Sequence, residues 1–375
     1  MSPVPTPNLD RGAYEARLRH DGNAEAAARE MGISVSTLKD RDKRHKARLN
    51  QDPAVVAGMD AMGMQGVPEG GWVKSKPGRD GLSYSFRFKT NPLPDDTLQR
   101  IRVAFEGMQP AKVARPPKQI MDDLCTVYPL MDVHYGMHAW GKETGTDYDL
   151  KLANGDMRKA FAKVSALTPP SAESVLIIGG DFFHADDTKA ETPAHKHNLD
   201  VDGRHFKVLD DGVEIISEVI DTLLYKHSKL TVRVMRGNHD EHSHLVLTFA
   251  LGQRYRSEPR VDIEKNPRDL FMKQWGKVLI SAHHGDRAPP ERLTLYLSDV
   301  CPYWSETRHR YCFTGHVHKD QAKDVGPLRW ESLRAFCPAD AYAAGMGYAA
   351  RRALQSITFH NVDGLVQRNM DPIER

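Results

Sequence analysis

Five stretches between residues 120 and 320 share one pattern, in which a run of apolar residues ends in polar ones. They are LCTVYPLMDVH (124–134), SVLIIGGDFFH (174–184), LTVRVMRGNHD (230–240), VLISAHHGD (278–286) and RYCFTGHVH (310–318). Short apolar runs rich in β-branched residues predict buried strands. Between them, DMRKAFAKVSAL (156–167) and DDGVEIISEVIDTLL (210–224) have helical periodicity. The alternation predicts an α/β layered domain over residues 121–375, with its site at the carboxyl ends of the strands.

The first 120 residues have a different character. Residues 1–9 contain three prolines and predict a disordered tail. Residues 10–50 predict three helices, RGAYEARLRHDGN, AEAAAREM and VSTLKDRDKRHKARL, with a turn at Gly32 and a cap from Ser34 or Ser36 on the third. Residues 51–120 predict a linker with a β-hairpin around Gly78–Gly81 and a short helix, DDTLQRIRVAFEGM, and have no assignable chemical role.

The second and third of these helices carry a recognisable pattern, formed by Ala27, Ala28, Gly32, Ile33, Ser34, Thr37 and Leu38. It resembles the helix-turn-helix domains of DNA-binding regulators, in which the third helix enters the major groove. Six basic residues on this helix outnumber Asp40 and Asp42 and give it a charge of +4; they are Lys39, Arg41, Lys43, Arg44, Lys46 and Arg48. The resemblance implies that these six contact DNA. The alternative is a solvated basic helix on a small appendage.

Composition narrows the class of protein. The chain is 40% hydrophobic and 27% charged, and it has no apolar run long enough to span a membrane. Its first ten residues lack the apolar segment of a signal peptide, and its four cysteines form no CxxC pair. We therefore expect a cytoplasmic protein without membrane attachment. The net charge of +2 indicates no partner, and the sequence leaves protein partners and homo-oligomers open.

Histidine is concentrated in one region, because only His20 and His45 of the 18 histidines precede residue 130. The ends of all five predicted strands carry metal-ligating residue types: Asp132, His134, Asp181, Asn238, His239, His283, His284, His316 and His318. On an extended chain His316 and His318 point to the same side, which predicts that they face one spot. Carboxylate, amide and imidazole together favour manganese, iron or zinc over calcium.

The order D-x-H, G-G-D, G-N-H-D, H-G-D and G-H-x-H across residues 125–320 resembles the calcineurin-like metallophosphoesterase superfamily. The resemblance implies an α/β fold, a two-sheet metallophosphoesterase sandwich flanked by helices, here with a small all-α helix-turn-helix domain at the N-terminus. It also implies two divalent metal ions, manganese first, with iron, zinc and nickel as alternatives. The implied ligands of the first are Asp132, His134, Asp181 and His318; those of the second are Asp181, Asn238, His284 and His316. Because the family's ligand directly precedes the glycine, His284 is favoured over His283.

The same resemblance implies that a metal-activated hydroxide attacks phosphorus, with His239 protonating the leaving oxygen and Asp240 orienting that imidazole. The GDFFH segment resembles the SbcD-type DNA-repair exonuclease branch, in which His184 matches an additional catalytic histidine. HAWGKETGTDYDLKLA resembles metallophosphoesterases encoded by phages. Together with the helix-turn-helix, these features predict a DNA nuclease. The alternative is a small-substrate phosphodiesterase or phosphomonoesterase tethered by that domain; a regulator with an inactive esterase is disfavoured because every ligand position is filled.

Overall fold

The computed structural model of the chain describes residues 6–20, 23–49, 71–74, 85–88, 110–111, 115, 117–349 and 351–373. The chain divides into two compact units, residues 1–103 and 104–375. The described residues of the first include three helices, α1 (Thr6–Arg19), α2 (Ala24–Glu30) and α3 (Val35–Leu49). Residues 6–9 of the predicted disordered tail are therefore helical, because a proline in the first helical turn removes only an N–H that has no partner within the helix.

The helical part of the first unit is held by a small core, formed by Ala13, Ala16, Ala27, Ala28 and Leu38. Gly32, with a φ of 63°, follows α2 in the left-handed conformation that favours glycine after a helix. The Ser34 hydroxyl accepts the Thr37 N–H at 3.1 Å. Of the two predicted caps, the one that satisfies the start of α3 is therefore Ser34.

The first unit also contains an antiparallel strand pair, β1 (Gly71–Lys74) and β2 (Ser85–Phe88). This pair lies where the β-hairpin was predicted. The turn at Gly78–Gly81 and the predicted short helix at 95–108 lie outside the described residues.

The described residues of the second unit form two β-sheets. The six-stranded sheet has the order β13-β12-β3-β4-β5-β6. Its strands are β3 (Met121–Leu130), β4 (Ser171–Ile178), β5 (Lys229–Val234), β6 (Val261–Ile263), β12 (Ala353–His360) and β13 (Gly364–Pro372). Strands β3 to β6 are parallel to one another, and β12 joins β3 in the antiparallel direction.

The five-stranded sheet has the order β10-β11-β9-β8-β7. Its strands are β7 (Leu270–Trp275), β8 (Val278–His283), β9 (His309–Thr314), β10 (Gln321–Val325) and β11 (Leu328–Ser332). Strands β8, β9 and β11 are parallel, and the two outer strands are antiparallel to their neighbours.

The described part of this unit contains six helices: α4 (Gly141–Thr144), α5 (Leu150–Leu167), α6 (His205–Leu224), α7 (Ser243–Arg254), α8 (Pro290–Val300) and α9 (Ala341–Gly345). Within the described ranges, none of the helices is both long and apolar enough to cross a membrane.

Alternating side chains on the strands divide the core into layers. Val127 and Ile177 pack against Ile280 and Phe313, so they lie between the two sheets. Tyr128, Leu176 and Ile178 belong to the cluster that includes the apolar residues of α5 and α6. Leu293 and Leu297 of α8 cover the other face of the second sheet. The predicted fold is therefore confirmed: two sheets pack face to face and are flanked by helices.

Candidate metal centre

The loops that follow the central strands contain unusual backbone conformations. Seven non-glycine residues in the described part of the chain have positive φ. Five of these are predicted metal ligands: Asp132 (47°), His134 (46°), Asp181 (50°), His316 (67°) and His318 (53°). Non-glycine residues seldom adopt this conformation, and such strain concentrates at functional sites. The strain therefore marks these loops as a site independently of the motif pattern.

Asp132 fixes the loop after β3 to the loop after β9. Its side chain is fully buried, and both of its carboxylate oxygens lie 2.9 Å from the His316 backbone N–H, which they accept. A Cβ atom on Gly315 would lie 2.4 Å from Asp132 Oδ2, so this contact requires glycine at position 315. The two loops therefore hold each other in register.

His134 has a buried nitrogen suited to a cation. Its Nδ1 lies 3.1 Å from Nδ1 of His184, whereas its Nε2 is buried and has no hydrogen-bond partner among the described residues. Burial lowers the pKa of His134 well below its usual value, which keeps the ring neutral. A neutral imidazole whose Nδ1–H donates to His184 presents an unprotonated Nε2, as a metal ligand must.

Asp181 lies between two groups of potential ligands, a first group that includes His134 and a second group that includes His284. Its Oδ1 accepts the His239 backbone N–H at 2.8 Å. Its Oδ2 lies 3.9 Å from His134 Nε2 on one side and 3.2 Å from His284 Nε2 on the other. This carboxylate therefore lies close to both His134 and His284.

The second group converges on His284. Its Nε2 lies 3.1 Å from Asn238 Oδ1, and its Nδ1 donates to the Gly179 carbonyl at 3.0 Å. Burial alone lowers the pKa of His284, but the Asp181 carboxylate outweighs it and raises the pKa to about 10. An imidazole, an amide oxygen and a carboxylate therefore meet at one point. A divalent cation fits the same donors.

The neighbouring His283 has a different environment. Its Nδ1 accepts the Gly285 backbone N–H at 2.9 Å, and burial lowers its pKa. The structure thus brings His284, and not His283, together with Asp181 and Asn238.

His316 and His318 both line the cleft, but they belong to different groups of potential ligands. Strand β9 ends at Thr314, and both histidines lie in the following loop with left-handed backbone, so the alternation of an extended strand does not apply. His316 groups with Asp181 and His284, with potential ligand atoms within 4.8 Å of one another. His318 Nε2 instead lies 3.7 Å from Asp132 Oδ1. Asp181 thus groups with Asp132 and His134 on one side and with His284 and His316 on the other. The two predicted ligand sets stay a prediction.

The three residues predicted to be catalytic occupy different positions. His239 lines the cleft above both groups, and its Nδ1 donates to the His184 carbonyl at 2.9 Å. His184 itself is buried beneath His134 and is not among the residues that line the cleft. Burial lowers the pKa of His184 to about 3, so it is neutral. Its contacts are with His134 and His239, and its catalytic role stays a prediction.

Asp240 does not orient the His239 imidazole, because its carboxylate is occupied elsewhere. It accepts four backbone N–H groups at 2.8–3.2 Å, those of Asp181, Phe182, Phe183 and Gly237. Burial raises the pKa of Asp240 to about 7, and the Asp181 charge adds to the rise. Asp240 thus shapes the loops that carry the ligands, and the His184 carbonyl orients His239.

Two further residues were not found from the sequence. Cys337 is buried and lies with His134 and His318, their potential ligand atoms within 4.8 Å of one another. Arg236 donates to Asp286 at 2.7 Å and so ties the loop after β5 to the loop after β8. Arg236 directly precedes the G-N-H-D motif and its partner Asp286 ends the H-G-D motif, which was the available signal; Cys337 has no comparable motif.

The cleft that contains these groups has a volume of about 460 Å³. Its lining includes His134, Asp181, Asn238, His239, His316 and His318. This volume is in the range of small-ligand pockets.

The basic helix α3 is described only in part. Lys39 and Lys43 are exposed and Arg41 is half-buried, whereas the side chains of Arg44, Lys46 and Arg48 lie outside the described residues. Asp42 is buried and pairs with Arg17 of α1 at 2.5 Å. Its charge therefore does not offset the basic residues on the solvent side of the helix.

No family model matches this chain, and no curated protein matches it. Among solved structures it is similar to an archaeal phosphodiesterase, at 12% identity and a TM-score of 0.35, over 66% of this chain and 99% of that chain. It is similar to a predicted phosphoesterase from Streptococcus pneumoniae at 8% identity and a TM-score of 0.27, over 66% and 98%. It is also similar to the Zn²⁺ complex of Vps29 from Entamoeba histolytica, at 12% identity and a TM-score of 0.29, over 66% and 99%.

Proposed function

We propose that this protein is a dimetal phosphoesterase that hydrolyses phosphodiester bonds, with DNA as its substrate. The observation that carries the proposal is the position of Asp181 between two groups of ligands, 3.9 Å from His134 Nε2 and 3.2 Å from His284 Nε2. Two cations held by a shared carboxylate lie about 3.5–4 Å apart in phosphoester hydrolases.

The residues divide the two sites between them. Asp132, His134, Asp181 and His318 would hold one cation, and Asp181, Asn238, His284 and His316 the other. When bound, such a pair of cations neutralises phosphate charge and lowers the pKa of a bound water. The mixture of oxygen and imidazole donors supports manganese as the first choice, with iron, zinc and nickel as alternatives. Burial raises the pKa of Cys337 well above its usual value, so at neutral pH it is a thiol beside the first site.

His239 is placed to protonate the leaving oxygen. Its Nδ1–H is engaged by the His184 carbonyl at 2.9 Å, so Nε2 is the nitrogen free to carry the transferred proton. Its ring lines the cleft beside both groups, with its centroid 4.6 Å from that of His134. A general acid in this position contributes roughly 10²–10⁴-fold to the rate.

The assignment of DNA as substrate rests on the N-terminal unit and on the sequence resemblances. Lys39 and Lys43 of α3 are exposed, and Asp42 is neutralised by Arg17. A basic helix of this kind binds phosphates and makes DNA affinity depend on salt. The six basic residues Lys39, Arg41, Lys43, Arg44, Lys46 and Arg48 are therefore proposed DNA contacts.

A substrate panel tests the proposal. Chelator-treated protein is supplied with Mn²⁺ and assayed on labelled single- and double-stranded DNA, bis-p-nitrophenyl phosphate and p-nitrophenyl phosphate. We expect metal-dependent hydrolysis of DNA and of the diester, and little of the monoester. Diester turnover without DNA hydrolysis would favour the small-substrate phosphodiesterase. No hydrolysis of any ester with Mn²⁺, Fe²⁺, Zn²⁺ or Ni²⁺ would refute the enzyme assignment.

A further inference from the structure

The cleft continues from the ligand groups to a wall of exposed aromatic side chains. Tyr342 and Tyr348 line the cleft together with Lys319, and they are 67% and 54% exposed. Large apolar rings that are exposed together beside a site commonly mark a binding surface. We call Tyr342, Tyr348 and Lys319 the tyrosine wall.

The wall combines rings with positive charge. Lys319 Nζ lies 5.5 Å from the centroid of the Tyr348 ring. The ring of Tyr342 stacks on that of His197, with centroids 6.2 Å apart and planes inclined by 30°. The acidic neighbour Asp340 is engaged as the cap of α9, where it accepts the Ala343 N–H at 2.7 Å.

A second pair of the same type lies nearby. Helix α9, which carries Tyr342, lies beside α4. At the start of α4, Trp140 is 55% exposed and has Lys142 Nζ 5.5 Å from its ring centroid. Two aromatic–lysine pairs thus lie on adjacent elements at one side of the cleft.

The combination of exposed aromatic rings and lysines is typical of surfaces that bind single-stranded nucleic acid. Surfaces that bind single-stranded nucleic acid combine aromatic rings, on which unpaired bases stack, with lysines or arginines that follow the phosphates. In a duplex the ring faces of the bases are hidden in the stack, so only unpaired bases can use such a wall.

We propose that the tyrosine wall binds unpaired bases next to the scissile phosphate, and that the preferred substrate is a single-stranded polynucleotide. Tyr342 and Tyr348 stack on bases, Lys319 neutralises a neighbouring phosphate, and the strand continues towards Trp140 and Lys142. This inference rests on the proposed phosphodiesterase function, because it places the scissile phosphate at the ligand groups.

Binding to metal-free protein tests the inference without relying on catalysis. A labelled oligothymidylate and an abasic oligonucleotide of the same length are titrated in chelator and followed by fluorescence anisotropy. Stacking is worth about 1–3 kcal/mol per base, so Tyr342→Ala and Tyr348→Ala should each weaken oligothymidylate binding about 5- to 150-fold. The same variants should leave abasic binding nearly unchanged. Tyr348→Phe, which keeps the ring, should bind both as the wild type does.

Two controls separate the roles of ring and charge. Tyr225 is 69% exposed but lies just before the N-terminal end of β5, whereas the ligand-bearing loops follow the carboxyl ends of the strands. Tyr225→Ala should therefore bind both oligonucleotides as the wild type does. Lys319→Met should weaken both oligonucleotides alike and lower the salt slope by about 0.7, the value for one phosphate of a single strand.

Several results would overturn the inference. Equal losses on the thymine and abasic strands in the tyrosine variants would exclude stacking, and equal loss in Tyr225→Ala would show an unspecific surface. If a dinucleotide binds as tightly as the oligonucleotide, the ligand of the tyrosine wall is a small phosphate ester and not a polynucleotide. Hydrolysis of bis-p-nitrophenyl phosphate by the wild type separates the two proposals. If this hydrolysis is normal while the tyrosine variants bind oligothymidylate normally, the proposed role of the tyrosine wall is refuted and the phosphodiesterase proposal stands. If this hydrolysis is absent, the phosphodiesterase proposal is refuted whatever the tyrosine variants bind.

Discussion

Replacing Gly315 with alanine should damage the first metal site directly. A Cβ atom at this position would lie 2.4 Å from Asp132 Oδ2 and 3.1 Å from its Cγ, whereas ordinary contacts begin near 3.4 Å. Relief of the shortest contact requires a movement of about 1 Å. Asp132 is fully buried and held by the His316 N–H, so it cannot simply rotate away.

The size of the effect follows from these distances. Ligand positions in a metal site tolerate about ±0.2 Å, and disturbing the groups that support a ligand weakens metal binding about 10- to 100-fold. Overpacking a rigid site also lowers the free energy of unfolding by about 1–3 kcal/mol. Gly315→Ala should therefore lose affinity at one of two Mn²⁺ sites and lose stability, measured by calorimetric titration of metal-free protein and by denaturant unfolding.

Gly155 provides the matched control. It lies inside α5, and a Cβ atom there would meet nothing within 4 Å. Gly155→Ala should raise the free energy of unfolding by about 0.4–1 kcal/mol and leave Mn²⁺ binding unchanged. If Gly315→Ala binds two Mn²⁺ ions as tightly as the wild type, the placement of Asp132 is wrong.

Three further changes probe other parts of the molecule. His239→Ala should keep both metals but lower kcat roughly 10²–10⁴-fold, less for p-nitrophenyl esters whose leaving group needs no proton; an empty site by metal analysis would make His239 structural. Removing residues 1–50 should weaken DNA binding and DNA hydrolysis, most at moderate salt, and leave the hydrolysis of small diesters unchanged. If the full-length and truncated proteins hydrolyse DNA equally at low and moderate salt, α3 is only a solvated basic helix. Burial lowers the pKa of His227 to about 3, so this ring stays neutral in the folded state and charges on unfolding below about pH 6.5. Stability should therefore fall as the pH drops, and His227→Gln should reduce the slope of the unfolding free energy by about 1.4 kcal/mol per pH unit between pH 6 and 5; an unchanged slope would contradict this.

The central strands could be predicted because they are buried on both faces and therefore appear as continuous apolar runs, as in Val175–Ile178. The outer strands could not be predicted in this way. Gln321–Val325 is mostly exposed, so β10 has no apolar pattern, although pairing with Leu328–Ser332 holds it in the sheet. Strand β10 forms because its backbone hydrogen-bonds to β11, and the residue composition of β10 does not indicate such backbone bonds.

The candidate site also has features that could be predicted from the sequence and features that could not. Residue type and motif order indicated which side chains gather, and in the structure Asp181 lies with Asp132 and His134 and also with His284 and His316. What could not be predicted is the backbone of the loops, since positive φ at His316 and His318 turns neighbouring histidines towards different groups. The contacts of Asp240 depend on those loops too, because its acceptors face backbone N–H groups whose direction no side-chain pattern encodes.

Manganese stoichiometry tests the central claim most directly, because the claim is that one carboxylate joins two cation sites. Chelator-treated wild type and Asp181→Asn are titrated with Mn²⁺, and bound metal is counted while magnetic coupling between ions is followed by electron paramagnetic resonance. Asp181 faces both His134 and His284, so the wild type should bind two spin-coupled Mn²⁺ ions, and Asp181→Asn should lose the coupling and weaken both sites. A wild type that binds a single ion, or an Asp181→Asn variant that keeps two coupled ions at wild-type affinity, would contradict the shared-carboxylate site.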